Sequence, residues 1–257
     1  MSASTLLLMT ALASTPLVVT MGDGNISGAE VKPYEYRWQQ CALNEGVWTN
    51  GSPLTERATV IGDHVLRIAQ TSSPQTGVTS EVAHYLDRMS LAPIRSEVRF
   101  VGPDGATLAK RNWTFGEDGY QAKISQGGQE VEKSGTLSNS MYNAIILGVP
   151  LAAIGDWNRP VTMTGFMTQF DATYALTATQ TGKEVIEIGG DEVAVRWIDV
   201  HWIHNEIGDV YPAGPDASGG RYWITEQSRT DLPRVLRYKT DTYAIEFLPQ
   251  FCPQEEE

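Results

Sequence analysis

Hydrophobic and polar side chains alternate along much of this chain with a period of two. The clearest example lies near residue 35, where Tyr34, Tyr36 and Trp38 alternate with Glu35 and Arg37. Because successive side chains of a β-strand point to opposite faces, these aromatic residues share one face. The pattern predicts a first strand whose aromatic face lies in the core.

Similar segments, rich in β-branched and aromatic residues, follow with turn signals between them, such as Pro103-Asp104-Gly105. Proline presets φ and glycine accepts a positive φ, so such clusters reverse the chain. The spacing predicts a mainly β fold, an antiparallel meander that forms a barrel or a strongly curved half-barrel. The predicted strands are residues 34–41, 57–61, 65–70, 78–86, 94–101, 107–115, 120–126, 130–134, 161–166, 172–179, 183–188, 192–205, 221–227, 234–239 and 243–248.

One stretch in the middle of the chain lacks this alternation. Asn139 or Ser140 can cap a helix there, and Gly148 and Pro150 can end it. The sequence therefore predicts one short helix near residues 139–148, packed over a barrel mouth or a sheet face.

The N-terminal 21 residues contain no charged side chain and include an apolar stretch with an Ala11-Leu12-Ala13 cleavage pattern. These features are typical of a signal peptide, although the usual basic residue before the apolar stretch is absent. We expect export, to a periplasm or to the medium. The alternatives are an uncleaved anchor and an apolar strand packed on the domain.

The chain of 257 residues is long enough for a substantial core, and its 41% hydrophobic and 19% charged residues are ordinary for a globular protein. We divide it into a leader over residues 1–21, a linker over 22–32, a single β-barrel-like domain over 33–252 and an acidic tail over 253–257. The Gly- and Pro-rich segment 208–220 is expected to form a mobile rim loop.

The net charge of −12 argues against nucleic acid as a partner, because binding to phosphates needs clustered Lys and Arg. The sequence contains no Gly-x-Ser-x-Gly elbow, His-Glu-x-x-His, P-loop, Cys-x-x-Cys or dinucleotide fingerprint. No cofactor is predicted.

The two cysteines, Cys41 and Cys252, stand near the start and the end of the predicted domain. In an oxidising compartment they can form a disulfide that joins the first and last strands. The alternative is a pair of buried, unpaired thiols.

Residues 192–205 hold the largest number of side chains that could act in acid–base catalysis or bind a ligand. In a regular strand Asp199 and His201 share a face, so a carboxylate would lie beside an imidazole and orient it for acid–base catalysis. Tyr222 and Glu226, near the rim loop, can also donate or accept a proton. The alternative is a solvated polar pair on an amphipathic strand.

Several aromatic and basic side chains of this region are candidates for binding a ligand. They are Trp197, Trp202, Trp223, Arg196 and His204. We expect no metal site, because His201 and His204 point to opposite faces of a regular strand and cannot both bind one ion without a bulge.

The order of several sequence blocks resembles exported bacterial domains of unknown function that form lipoprotein-carrier-like curved β-sheets or half-barrels. The blocks are YEYRWQQC at 34–41 with its leader, then residues 85–100, 140–151, 173–202 and 222–249. The resemblance implies a fold and a compartment, and it supplies no catalytic residues.

Three functions follow from these observations. The first is an exported binding or carrier protein whose curved sheet holds a lipid-like or other apolar small molecule against aromatic side chains. The second is a cofactor-independent acid–base enzyme, a lyase, isomerase or hydrolase, that uses His201 and Asp199. The third is a structural role in an envelope assembly.

Overall fold

The computed structural model describes residues 15–137, 141–143, 146, 148–168, 172–204, 210–211, 219–229, 231–247 and 252. Within these ranges the chain is almost entirely β-strand. The strands are β1 (Leu17–Val18), β2 (Tyr34–Asn44), β3 (Val47–Ile61), β4 (His64–Ser72), β5 (Thr79–Asp87), β6 (Pro93–Val101), β7 (Thr107–Phe115), β8 (Gly119–Gln126), β9 (Gln129–Thr136), β10 (Met141–Asn143), β11 (Val161–Met167), β12 (Ala172–Ile188), β13 (Asp191–His204), β14 (Val210–Tyr211), β15 (Gly220–Thr225), β16 (Val235–Lys239) and β17 (Tyr243–Phe247). A 3₁₀ turn covers Gly28–Glu30, and one short helix, α1, covers Gly148–Ala152.

The described strands form one sheet in the order β1-β10-β11-β12-β13-β14-β15-β16-β17-β2-β3-β4-β5-β6-β7-β8-β9. Neighbours in sequence are paired antiparallel over most of this order, and β17 pairs antiparallel with β2. Strands β1 and β10 instead pair parallel with β11. Because β9 ends the sheet on one side and β1 with β10 on the other, these strands do not close into a barrel by pairing. The prediction of a mainly antiparallel, strongly curved sheet is confirmed.

The curvature brings the β10–β11 end of the sheet onto the strands of the other half. Asn143 of β10 lies 3.1 Å from the Nδ1 atom of His84 on β5 and 3.0 Å from the Oγ atom of Ser96 on β6. Met141 and Phe166 pack in the same way against a buried cluster that contains Trp113. The sheet therefore has an inner face that encloses the main apolar core.

Two predicted strand boundaries are wrong. Strand β3 begins ten residues before the expected start at Arg57, because its Pro53 pairs with Gln39 beside a register shift of β2. A proline is tolerated in a sheet at such a bulge. The expected break between residues 179 and 183 is likewise absent, since β12 continues through a register shift between Gln180 and Gly182.

The predicted helix exists but lies further along the chain. Met141–Asn143, expected in the helix, is a strand, and α1 begins at Gly148, where the helix was expected to end. Pro150 is the third residue of α1, and a proline fits the first turn of a helix, where the amide has no intrahelical partner. Several residues of the predicted helix, including Asn139 and Ser140, lie outside the described residues.

The segment before β2 is packed on the sheet and is not a free linker. Leu17–Val18 pairs with β11, and Val19 is 1% exposed. Ile26, within the expected linker 22–32, is buried and forms a bridge with Ile154. Residues 1–14 and 253–257 lie outside the described residues, so leader cleavage and the acidic tail stay predictions. Most of the expected rim loop 208–220 also lies outside them.

The predicted disulfide is confirmed. Cys41 on β2 and Cys252 after β17 are bonded, with their Cα atoms 5.6 Å apart. Both residues are buried with Ala244 in a small cluster of their own. The bond thus fastens the end of the chain to the strand pair β17–β2, where the first and last long strands of the sheet meet.

No helix of the described residues is long and apolar enough to cross a membrane.

Candidate functional site: two cavities on the inner face

Two adjoining cavities lie between α1 and the inner face of the sheet. Cavity 1 has a volume of about 240 Å³ and cavity 2 about 270 Å³. They share the wall residues Trp38, Glu56, Val149 and Val235. Because these residues border both spaces, the cavities are neighbouring parts of one inner chamber.

The walls of the chamber are mainly aromatic and aliphatic. The apolar and aromatic lining of cavity 1, besides the shared residues, includes Val31, Pro33, Tyr34, Tyr36, Leu232 and Pro233. Its further polar residues are Lys32, Ser228, Arg229 and Arg234. Cavity 2 is lined chiefly by Leu54, Ile146, Met167, Trp202, Tyr222, Tyr238, Tyr243 and Ile245. Such walls with a few polar groups are typical of sites for small apolar molecules.

The alternating pattern of β2 supplies one side of the chamber. Tyr34, Tyr36 and Trp38 point to its interior, and Tyr34 stacks on Tyr36 with ring centroids 4.9 Å apart. On the facing side, Tyr222 of β15 is paired with Tyr238 of β16, and their rings are 4.5 Å apart. The strand register therefore places rings on two sides of one space.

A buried ion pair lies where the two cavities meet. Glu56 is 8% exposed, and its Oε1 atom accepts a hydrogen bond of 2.5 Å from the Tyr34 hydroxyl. Its Oε2 atom accepts from the Nη2 atom of Arg67, which lines cavity 2. Burial opposes the charge of Arg67, but the neighbouring Glu56 raises its pKa overall. Burial and then the charge of Glu56 raise the pKa of Tyr34 well above its usual value, so Tyr34 stays a neutral donor.

Two tyrosines of cavity 2, Tyr222 and Tyr243, also stay neutral. Burial raises the pKa of Tyr222 well above its usual value and that of Tyr243 to about 12. A phenol in this state carries its proton and can donate it in a hydrogen bond. Cavity 2 thus combines apolar walls with hydroxyl donors.

A second polar cluster lies beside Arg67, outside both cavities. His84, which pairs with Arg67 across β4 and β5, is fully buried, and its Nδ1 atom is 2.9 Å from the Oγ atom of Ser96. Burial, followed by the charge of Arg67, lowers the pKa of His84 to about 3. His84 is therefore neutral, and with Ser96 and Asn143 it ties β5 and β6 to β10.

Of the predicted ligand-binding residues, Trp202 lies in cavity 2, and so does Tyr222, which was expected to transfer protons. Trp197 and Trp223 are paired with each other on the opposite face of β13 and β15 from Tyr222. Their Nε1 atoms donate to the Oε1 atom of Glu184, at 2.9 and 2.6 Å. These two indoles are therefore held by a carboxylate instead of facing the chamber.

Of the other two predicted binding residues, Arg196 is the one whose side chain is described. Arg196 is half-buried and lines none of the described cavities. The side chain of His204 lies outside the described residues. Among the described residues, no group of three or more His, Cys, Asp or Glu side chains is placed to hold a metal ion.

Of the predicted catalytic residues, Asp199 and His201 line one surface cleft, whereas Tyr222 lies in cavity 2 and Glu226 lines neither space. Asp199 is bound by Arg221 through two hydrogen bonds of 2.5 and 2.9 Å, so its carboxylate orients Arg221 and not the imidazole of His201. His201 is exposed. Glu226 forms an ion pair of 2.5 Å with Lys183, and Tyr222 lies on the opposite face of the sheet from Asp199. The reason is that other strands supply each of these carboxylates with a cation. The alternation of residues along one strand does not show which residues of other strands lie beside it.

The sequence did contain a signal for the ion pair of the chamber. Glu56 lies between Leu54 and Ala58 on one face of β3, and both neighbours are buried. Arg67 has the same position between two buried residues of β4. A charge that interrupts an apolar face is expected to find a partner inside the fold, because an unpaired buried charge is very costly.

Comparisons with known proteins give a structural likeness and no sequence match. No family model and no curated protein matches the chain. Among solved structures, the chain is similar to the crystal structure of a β-barrel-like protein of the domain of unknown function DUF1849 from Brucella abortus. The identity is 7% and the TM-score 0.49, over 87% of this chain and 98% of that chain.

Proposed function

We propose that this protein is an exported binding or carrier protein that holds an apolar or aromatic small molecule, or a lipid-like one, in the chamber on the inner face of its sheet. The observation that carries the proposal is the pair of adjoining cavities walled by aromatic side chains from β2, β13 and β15 to β17. Binding is favoured when a ligand covers apolar surface of this kind and displaces water from it.

The dimensions of the chamber suit a small ligand. Each cavity is somewhat below the range of roughly 300 to 1,000 Å³ that small-molecule sites usually occupy. The two cavities adjoin along Trp38, Val149 and Val235, which border both.

Export is the second part of the proposal. The apolar leader supports it, and so does the Cys41–Cys252 disulfide, since stable disulfides are rare in cytosolic proteins. A chamber for apolar molecules would be useful in a periplasm or at an envelope, where lipid-like compounds must cross water.

The ligand proposal is tested by filling the chamber. Val149 borders both cavities, so Val149→Trp places an indole where the ligand would lie. We expect this variant to bind the neutral fluorophore N-phenyl-1-naphthylamine at least tenfold more weakly than the unaltered protein, in a fluorescence titration.

A matched variant controls for the added indole. Val185 on β12 is 61% exposed, and Val185→Trp should leave the affinity for the fluorophore unchanged. If both variants bind as well as the unaltered protein, or if the unaltered protein does not bind the fluorophore, the chamber is not a binding site.

A further inference from the structure

The polar groups in the wall of cavity 2 are not balanced between donors and acceptors. Glu56 is the carboxylate of this wall, and both its oxygens already accept hydrogen bonds, one from Tyr34 and one from Arg67. Both oxygens of Glu56 are therefore already used, so this carboxylate is a poor acceptor for a hydrogen bond from a ligand.

Two donors of the same wall are less fully used. Arg67 donates to Glu56 through Nη2, and its buried Nε atom has no hydrogen-bond partner among the described residues. The Tyr222 hydroxyl makes no hydrogen bond to any residue in the described ranges. The guanidinium of Arg67 and the Tyr222 hydroxyl both border cavity 2, so an occupant that brings an acceptor can use these donors.

Both donors line cavity 2, so they border the same space. The charge of Arg67 opposes the effect of burial on the pKa of Tyr222. Tyr222 is held in place by its stacking on Tyr238 and by Gly148 of α1, where an added Cβ atom would lie 3.3 Å from the Tyr222 ring.

The charge of the occupant can be argued from the same network. Glu56 and Arg67 together are neutral, and both are largely buried. A ligand carboxylate would place a second negative charge next to one guanidinium that already serves Glu56, in a region with little water. A neutral carbonyl oxygen accepts the same hydrogen bonds without that cost.

We infer that the ligand of cavity 2 is a neutral carbonyl compound with an apolar body, such as an ester or a ketone, whose carbonyl oxygen accepts hydrogen bonds from Tyr222 and Arg67. This inference rests on the proposed function, since it names the chemical class that the chamber selects. The apolar body would lie along Trp38 toward cavity 1.

The test measures displacement of N-phenyl-1-naphthylamine by 2-undecanone, decanoate and undecane, with the unaltered protein and with Tyr222→Phe. This substitution removes one hydroxyl and keeps the ring. We expect it to weaken binding of 2-undecanone about fivefold, the effect of one hydrogen bond, and to leave undecane unchanged. Decanoate should bind more weakly than 2-undecanone to the unaltered protein.

Two further variants keep the test decisive. Tyr85→Phe removes a hydroxyl from β5, where Tyr85 lines neither cavity, and should change neither affinity. Because removing Arg67 alone would leave the buried Glu56 without a cation, the pair is replaced together as Glu56→Gln and Arg67→Met. This double variant should also lose affinity for 2-undecanone more than for undecane.

The outcomes separate the two proposals. If Tyr222→Phe changes 2-undecanone and undecane equally, or neither, the carbonyl inference is wrong while the binding function stands. If decanoate binds best, the neutral class is wrong. If no compound displaces the fluorophore and Val149→Trp does not affect its binding, the proposed function itself fails.

Discussion

The two sides of this sheet hold ion pairs that differ in their exposure to water. Glu56 and Arg67 are largely buried on the inner face, where their desolvation offsets much of their mutual attraction. Asp199 and Arg221 form a two-point pair that remains 27% and 35% exposed. Water therefore screens the second pair, and its contribution to stability is expected to be modest.

The Asp199–Arg221 pair predicts a dependence of stability on pH. The hydrogen bonds from Arg221 lower the pKa of Asp199 below its usual value. A carboxyl group with a lowered pKa stabilises the fold above its unfolded pKa, and this contribution is lost as the pH falls through the folded pKa. Asp199→Asn should therefore reduce the free energy of unfolding by about 1 kcal/mol at pH 7 and by much less near pH 2.

Urea unfolding at the two pH values measures this difference. Asp241→Asn is the control, because Asp241 is an exposed carboxylate of the same surface cleft as Asp199. The prediction is wrong if Asp199→Asn costs as much at pH 2 as at pH 7.

Among the elements, β12 and β13 show how pairing extends a strand beyond its own sequence pattern. Residues 179–183 look like a turn in the sequence, yet β12 passes through them because β13 offers a continuous partner. The bulge needs Gly182, where a Cβ atom would lie 2.5 Å from the Trp197 ring. A glycine at a bulge allows this close approach of the two strands.

The first element, β1, bears on where a leader could be removed. Cleavage after Ala13 would leave Leu17–Val18 in the mature chain, where it pairs with β11, and would keep Val19 in the core. We expect exported protein to begin at residue 14, since the Ala-x-Ala pattern ends at Ala13 and cleavage after residue 19 would remove buried contacts.

N-terminal sequencing of protein recovered from the periplasm or the medium tests this expectation. A variant with Ala11 and Ala13 both replaced by Arg should keep its leader, because small residues are required at the cleavage site. An intact Met1 in exported material of the unaltered protein would contradict the leader.

At the scale of the whole molecule, the antiparallel pairing of β17 with β2 brings the first and last long strands of the domain together. The described strands do not close the sheet by pairing, so its shape depends on the packing of β10 and β11 over the other half and on the fastening of its chain ends. The disulfide fastens the chain ends, because it links two residues that are 211 positions apart in the sequence.

Reduction of the disulfide should therefore destabilise the whole fold. A crosslink over so long a loop restricts the unfolded chain, and its loss is expected to cost about 4 to 5 kcal/mol in the chain-entropy description. Urea unfolding with and without dithiothreitol measures the effect. A protein with Cys41 and Cys252 both replaced by Ser should be equally unstable under both conditions, and two reactive thiols in denatured, unreduced protein would contradict the bond.

The sequence by itself determined the strand-rich character, the inward aromatic face of β2 and the cysteine pair, since alternation and residue type are properties of the local chain. Only the tertiary structure decided which side chains meet. It paired Asp199 with Arg221 instead of His201, moved the helix start to Gly148, and joined Glu56, Arg67 and Tyr222 around one chamber. The physical reason is that cross-strand register and sheet curvature arise from long-range pairing, which no local pattern of residues specifies.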